Sequence, residues 1–147
     1  MIDLTDQLAV DVARTECLKS ILFHTRFFFR TQYNKKFIVN DHHHIICQAL
    51  EEVLLGNCTR LIINVAPRYT KTELAVKSFV SHGLALNPSA KFIHLSYGDD
   101  IALDNSETIK DLMESEAYQV LFPGIKIKAD SKSKQKWYTN YGGGVLA

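Results

Sequence analysis

The sequence predicts an α/β fold in which a mostly parallel sheet is flanked by helices. Two observations lead to this prediction. The short run at residues 61–65 is mostly β-branched and apolar, which is typical of a strand buried on both faces. A loop, a helical pattern and a second apolar run at 91–96 follow it, and this order is that of a βαβ unit.

The segment before the first predicted strand is expected to be helical. Apolar residues recur at roughly helical spacing from Leu8 to Phe29, which predicts one long helix or two short ones. Asn40 and Asp41 then form a plausible N-terminal cap for another helix. Gly56 is expected to end it just before the strand.

The remaining elements alternate between helices and short strands. A helix is expected to begin at Lys71 and to end near Pro88, and a second helical pattern covers 99–113 with a further turn or two before Phe122. Three short strands are predicted after Pro123, with a run of three glycines between the last two. They are residues 125–128, 136–140 and 145–147.

Composition excludes several classes of protein. The 147 residues carry 17 Lys and Arg against 16 Asp and Glu, a near-neutral balance that does not by itself indicate binding of nucleic acid. The three cysteines form no CxxC pair, so neither a disulfide scaffold nor a zinc knuckle is indicated. The chain shows neither a secretory signal nor an apolar run long enough to span a bilayer. We therefore expect one globular domain in a reducing cytoplasm, with no membrane partner.

The loop between the predicted strand and helix lies where a nucleotide-binding P-loop would lie. In the pattern GxxxxGK[ST], Lys71 and Thr72 match the last two positions, but Val65 and Thr70 stand where the glycines belong. The context nevertheless fits, because a helix N-terminus after a buried strand favours phosphate. The alternative is an ordinary loop with solvated cations and a capping threonine.

This loop carries a resemblance to a known family. The run from Leu61 to Glu73 resembles the deviant Walker A segment of the large terminase subunits of tailed phages, the motors that package DNA into procapsids. That family commonly has a hydrophobic strand, then Pro-Arg, two variable residues, Lys-Ser/Thr and Glu. Here the sequence after the strand is Pro-Arg-Tyr-Thr-Lys-Thr-Glu, at residues 67–73.

The resemblance continues along the chain, from about residue 37 to residue 147. The run 87–100 resembles the family's next strand and its Ser-Tyr-x-x-Asp turn. The runs 117–123 and 137–143 resemble its later landmarks. Their order and spacing identify the chain as similar to the N-terminal part of the terminase ATPase domain, with a P-loop NTPase-like fold.

The resemblance implies roles for the loop residues. Lys71 would hold the β- and γ-phosphates of ATP, Thr72 would ligate Mg²⁺, and Arg68 would sense or stabilise the γ-phosphate. Arg68 and Lys71 are thus the expected catalytic residues, since phosphoryl transfer depends on positioned charge. The complete ATP-binding loop would comprise Ala66, Pro67, Arg68, Tyr69, Thr70, Lys71, Thr72 and Glu73.

The resemblance also implies a domain organisation. Residues 1–36 would form an N-terminal helical segment and residues 37–147 a partial ATPase domain, because the family's Walker B carboxylates and nuclease domain come later in the chain. ATP binding is therefore expected of this chain, and turnover by it alone is not. The complete parent would act as a homo-oligomer in the bacterial host cytoplasm, with double-stranded DNA, the portal and the small terminase subunit as partners. The alternative is a non-catalytic prophage remnant or binding module.

Other clusters have weaker functional interpretations. His43 and Cys47 share a helix face, but two ligands are too few for zinc, so a solvated helix start is favoured over a metal site. By the resemblance, one of the three histidines at 42–44 and Gln48 would lie in the segment before the P-loop strand, where the family often recognises adenine. The pair Asp99 and Asp100 is better explained as charge at a helix N-terminus than as a metal site.

Two aromatic segments are open to both a binding and a structural interpretation. The aromatics at 27–29 are either core or a partner-binding patch. A basic, aromatic strip could contact a DNA backbone, although a solvated hairpin with its aromatics packed inward is favoured. The strip comprises Lys126, Lys128, Lys132, Lys134, Lys136, Trp137, Tyr138 and Tyr141.

Overall fold

The protein has an α/β architecture in the computed structural model, which describes residues 5–129 and 133–147. About 56% of it is helical. In chain order the elements are α1 (Gln7–Lys19), α2 (Ile21–Tyr33), α3 (Asp41–Leu54), a π-helical segment (Glu73–Ser78) that runs directly into α4 (Phe79–Leu86), β1 (Lys91–Ile93), α5 (Asp99–Glu114), α6 (Glu116–Leu121), β2 (Lys136–Tyr138) and β3 (Gly144–Leu146). In these two stretches, no helix combines the length and the apolarity needed to cross a membrane.

Local signals set the helix boundaries. Ser20 has an extended backbone between α1 and α2, and its hydroxyl accepts a hydrogen bond from the Phe23 amide, so the first helical pattern forms two helices. Asn34 ends α2 in the left-handed conformation. Asn40 precedes α3, which confirms that predicted cap. Gly56, with a φ of 81°, follows the end of α3 as expected.

The sheet of the described residues has three strands in the order β1-β3-β2, and it is mixed. β1 lies parallel to β3, with Phe92 opposite Val145, whereas β2 lies antiparallel to β3, with Trp137 opposite the same residue. The prediction of a mostly parallel sheet is therefore wrong. The reason is the tight glycine turn between β2 and β3, because a connection that short can only join antiparallel neighbours.

The predicted central strand at 61–65 lies outside this sheet. The run is extended but belongs to no strand, and the Ile62 side chain is 85% exposed. The prediction of a buried, paired strand is wrong because β-branched residues favour extended backbone locally, whereas pairing depends on a neighbour that the sequence pattern does not specify. The predicted strand at 125–128 is likewise reduced to one bridge, between Ile127 and Thr139.

Two apolar clusters form the core. The larger joins the helices to the sheet and contains Phe28, Tyr118 and Trp137. Trp137 is fully buried and donates its indole N–H to Ser106 Oγ at 2.9 Å, so it is no part of a surface strip for DNA. The smaller cluster contains Leu50 and Leu74 and lies next to the loop that follows residues 61–65.

Candidate phosphate-binding loop

The loop at 66–70 connects the extended run 61–65 to a first helical turn at Lys71 and Thr72, which continues into the π-helical segment at Glu73. A turn lies at Pro67 and Arg68, and the first helical hydrogen bond runs from the Leu74 amide to the Thr70 carbonyl at 3.1 Å. Leu74 is fully buried in the smaller core cluster. This packing fixes the start of the helix, so that its first turn faces solvent at the loop.

Two loop residues other than glycine adopt positive φ angles. Arg68 has a φ of 69° and Thr70 a φ of 56°. Left-handed backbone costs an L-residue roughly 1–2 kcal/mol, and a β-branched residue such as threonine rarely adopts it. Thr70 stands at the position before Lys71 where the Walker pattern has glycine. The backbone there has the conformation that glycine favours, although the residue is threonine.

A hydrogen-bond chain from α3 holds Thr70 in this conformation. The Asn40 amide donates to Nδ1 of His43 at 2.9 Å, which leaves the ring proton on Nε2. His43 Nε2 then donates to Thr70 Oγ1 at 2.7 Å, and the Thr70 hydroxyl donates to the Tyr69 carbonyl at 2.7 Å. The strained residue is thereby tied at its side chain to a residue of α3 that lies 27 positions earlier in the chain.

The neutral form of His43 suits this arrangement. Burial, with smaller contributions from His42 and His44, lowers the pKa of His43 below its ordinary value. A neutral ring can both accept at Nδ1 and donate at Nε2, whereas an imidazolium can only donate. His42 adds an edge-on ring contact to Tyr69, with 5.5 Å between centroids.

Several polar groups of the loop are open to solvent and have no partner within the described residues. The side chains of Arg68, Lys71 and Thr72 are exposed, and none has a hydrogen-bond or ion-pair partner within the described residues. The amides of the first helical turn likewise have no acceptor there, apart from that of Leu74. Unpaired amides at a helix N-terminus beside two cations make a favourable environment for an anion.

The other predicted loop residues have lesser roles. Ala66 is exposed directly before the turn, and Pro67 is an exposed residue of the turn itself. Glu73 points along the helix instead of into the loop, because its carboxylate pairs with Lys77 at 3.3 Å. Of the expected binding loop, Arg68, Lys71 and Thr72 have exposed side chains, and Thr70 is held by His43.

The structure gives the remaining candidate residues structural environments. Cys47 is buried, and burial followed by the charge of Glu51 raises the pKa of its thiol to about 12. Nowhere in residues 5–129 and 133–147 do three or more His, Cys, Asp or Glu side chains form a group that could hold a metal ion. Lys134 of the basic strip pairs with Glu107, and Lys132 lies outside the described residues.

Comparison with known proteins adds no family to these observations. No family model matches the chain, and neither a curated protein nor a solved structure matches it. The assignment of the loop therefore depends on its own geometry and on the sequence resemblance.

Sequence reasoning missed the part played by His43 in the loop. The motif begins with the strand-like run at 61–65, whereas His43 lies on α3, earlier in the chain. The sequence does contain a local signal for the orientation of this ring. His43 is the third residue of α3, and at this position a capping-box side chain accepts a hydrogen bond from the amide of the cap residue, here Asn40. That signal predicts the ring's orientation but not its contact with Thr70.

Proposed function

We propose that residues 66–73 bind the phosphates of ATP and that the chain is the N-terminal part of the ATPase of a phage large terminase. The observation that carries the proposal is the left-handed Thr70 directly before Lys71, held in place by His43. Non-glycine residues held in such conformations cluster at functional sites. An ordinary surface loop gains nothing from this cost.

The residues present are compatible with a nucleotide and its metal. Unpaired amides of the first helical turn, together with Lys71 and Arg68, would hold phosphate oxygens. The unpartnered hydroxyl of Thr72 would ligate Mg²⁺, whose charge would offset that of the phosphates. For the full-length parent, the proposal includes double-stranded DNA, the portal and the small terminase subunit as partners, a homo-oligomeric motor, and the bacterial host cytoplasm as its location.

The second candidate function is that of a binding module that keeps the fold but does not respond to nucleotide. The observation that favours it is the absence of strand pairing at residues 61–65 within the described part of the chain. In a P-loop the strand before the loop anchors it rigidly. A loop preceded by an unpaired segment would lose part of that support.

Equilibrium binding of a fluorescent ATP analogue with Mg²⁺ separates the two candidates. The wild-type protein is expected to bind at submillimolar concentration, and Lys71→Ala is expected to weaken binding by about tenfold or more, since the ammonium makes a charge-assisted contact. Lys19→Ala, on the exposed end of α1, is the matched control and should bind like the wild type.

Folding must be verified in the same samples by the fluorescence of the buried Trp137. A folded wild-type protein that binds no nucleotide at millimolar concentration would reject the proposal and favour the binding module. Equal binding by the wild type and Lys71→Ala would also reject it.

A further inference from the structure

A cavity of about 740 Å³ lies between α2, the segment after it and the start of α6. It shares no residue with the loop at 66–73. Asn34 turns the chain back at the end of α2, which brings Lys36 and Phe37 alongside the helix. The wall is mostly apolar and includes Phe23, Phe27, Phe37 and Ala117.

Three cations that form no ion pair line this mostly apolar cavity. They are Arg26, Arg30 and Lys36, and none of their side chains has an ion pair or a hydrogen bond within the described residues. Several basic residues elsewhere do pair with acids, among them Arg14 with Asp11 at 2.8 Å. The one acid of the cavity, Glu116, forms no ion pair with any of the three.

The two arginines are placed to act together. Arg26 and Arg30 are four residues apart on α2, so their side chains leave the same face of the helix one turn apart. Phe23 and Phe27 repeat this spacing three residues earlier, and both rings are half-buried in the wall. A guanidinium is suited to planar two-oxygen groups such as a carboxylate or a phosphate.

We propose that this cavity binds a small amphiphilic anion. The ligand would place an aromatic or acyl body against the phenylalanines and one carboxylate, phosphate or sulfonate group against Arg26 and Arg30. The volume lies within the range of about 300–1,000 Å³ that is typical of small-molecule sites. Cations gathered around one concavity suit a single head group better than a nucleic-acid backbone, which would need charges spaced along a track.

A pair of dyes that differ in charge tests the proposal directly. The anionic probe is 8-anilinonaphthalene-1-sulfonate, and its neutral counterpart is N-phenyl-1-naphthylamine, which lacks the sulfonate. The wild-type protein is expected to bind the anionic dye more tightly, and the double variant Arg26→Ala, Arg30→Ala is expected to weaken it by about tenfold or more. Binding of the neutral dye should stay within about twofold, since the apolar wall is unchanged.

Two controls keep the result interpretable. Arg60→Ala removes an exposed cation that does not line the cavity, and it should leave both dyes unaffected. Thr31→Trp adds bulk from the exposed rim and should weaken both dyes together. If the double variant binds the anionic dye like the wild type, the dye binds elsewhere and the proposal is overturned.

The same anionic group could also be presented by a lipid surface. Sedimentation with phosphatidylglycerol vesicles distinguishes this source from a free ligand. We expect the protein to stay in the supernatant while it binds the dye from solution. Sedimentation that depends on Arg26 and Arg30 would overturn the proposal of a free small-molecule ligand in favour of a membrane.

Discussion

Two buried histidines predict a loss of stability in mild acid. His24 and His82 are fully buried between the helices, with 5.2 Å between their ring centroids. His24 Nε2 lies 2.9 Å from Ser81 Oγ, and the His82 ring is hydrogen-bonded to the Cys17 carbonyl. Nδ1 of each ring has no partner within the described residues. A proton added at either nitrogen would thus be a buried charge without an acceptor.

The size of the effect follows from the pKa values. Burial lowers the pKa of His82 from 6.5 to about 4. The hydrogen bond to the Cys17 carbonyl raises this pKa, but its effect is smaller than that of burial. Burial, and then the proximity of His82, also lowers the pKa of His24 well below its ordinary value. At a pH between the ordinary and the lowered pKa, the unfolded chain binds more protons than the folded one. The free energy of unfolding therefore falls as the pH falls through this window, and it is constant at higher pH. For His82 alone this linkage amounts to about 2 kcal/mol between pH 7 and pH 5.

Urea unfolding at pH 7 and pH 5 measures this difference. The signal is the fluorescence of Trp137, the sole tryptophan, which is fully buried. His82→Gln keeps a donor for the Cys17 carbonyl but cannot titrate, so its loss of stability between pH 7 and pH 5 should be smaller than that of the wild type by about 2 kcal/mol, while His24 still titrates. His44→Gln alters an exposed histidine and should behave like the wild type. The reasoning is refuted if the wild type loses less than about 0.5 kcal/mol, or if His82→Gln keeps the full difference.

Three further predictions test the loop, the sheet and the thiols. His43→Ala should lower the free energy of unfolding in urea by about 1–2 kcal/mol. The loss should be clearly smaller in a Thr70→Gly background, because glycine needs no support at positive φ. Equal losses in the two backgrounds would contradict the role given to the hydrogen bond. Gly143→Ala should cost about 3 kcal/mol or more, since its Cβ would lie 2.3 Å from the Pro88 carbonyl oxygen, whereas Gly98→Ala should be neutral. In the native protein, only the thiol of Cys58 should react with Ellman's reagent. Burial raises the pKa of the Cys17 and Cys47 thiols to about 12, so these two should react only in denaturant.

The helices could be predicted from the sequence because their signals are local. Apolar spacing and the cap at Asn40 give α3, and the acidic start at Asp99 gives α5. The sheet could not be predicted in the same way. β3 lies beside β1 because Gly143 has no side chain to strike the carbonyls of Pro88 and Ala90. That contact joins segments more than 50 residues apart, and no local pattern reports it.

In the candidate site, too, the sequence predicts the local features but not the long-range contacts. The motif predicts which residues lie in the loop, because the order of a strand-like run, Pro-Arg and Lys-Thr is a local feature. It does not predict how a loop without glycine closes, and Thr70 violates the local rule that β-branched residues avoid positive φ. The compensation comes from His43, whose own ring is oriented by the cap of α3. A local conflict stabilised by a distant and specific hydrogen bond is expected where function requires the conformation. The His43→Ala substitution therefore tests more than stability. If nucleotide binding is unchanged when this support of Thr70 is removed, the left-handed turn before Lys71 is not what holds phosphate. Thr70→Gly in the same background keeps the left-handed conformation and should restore binding.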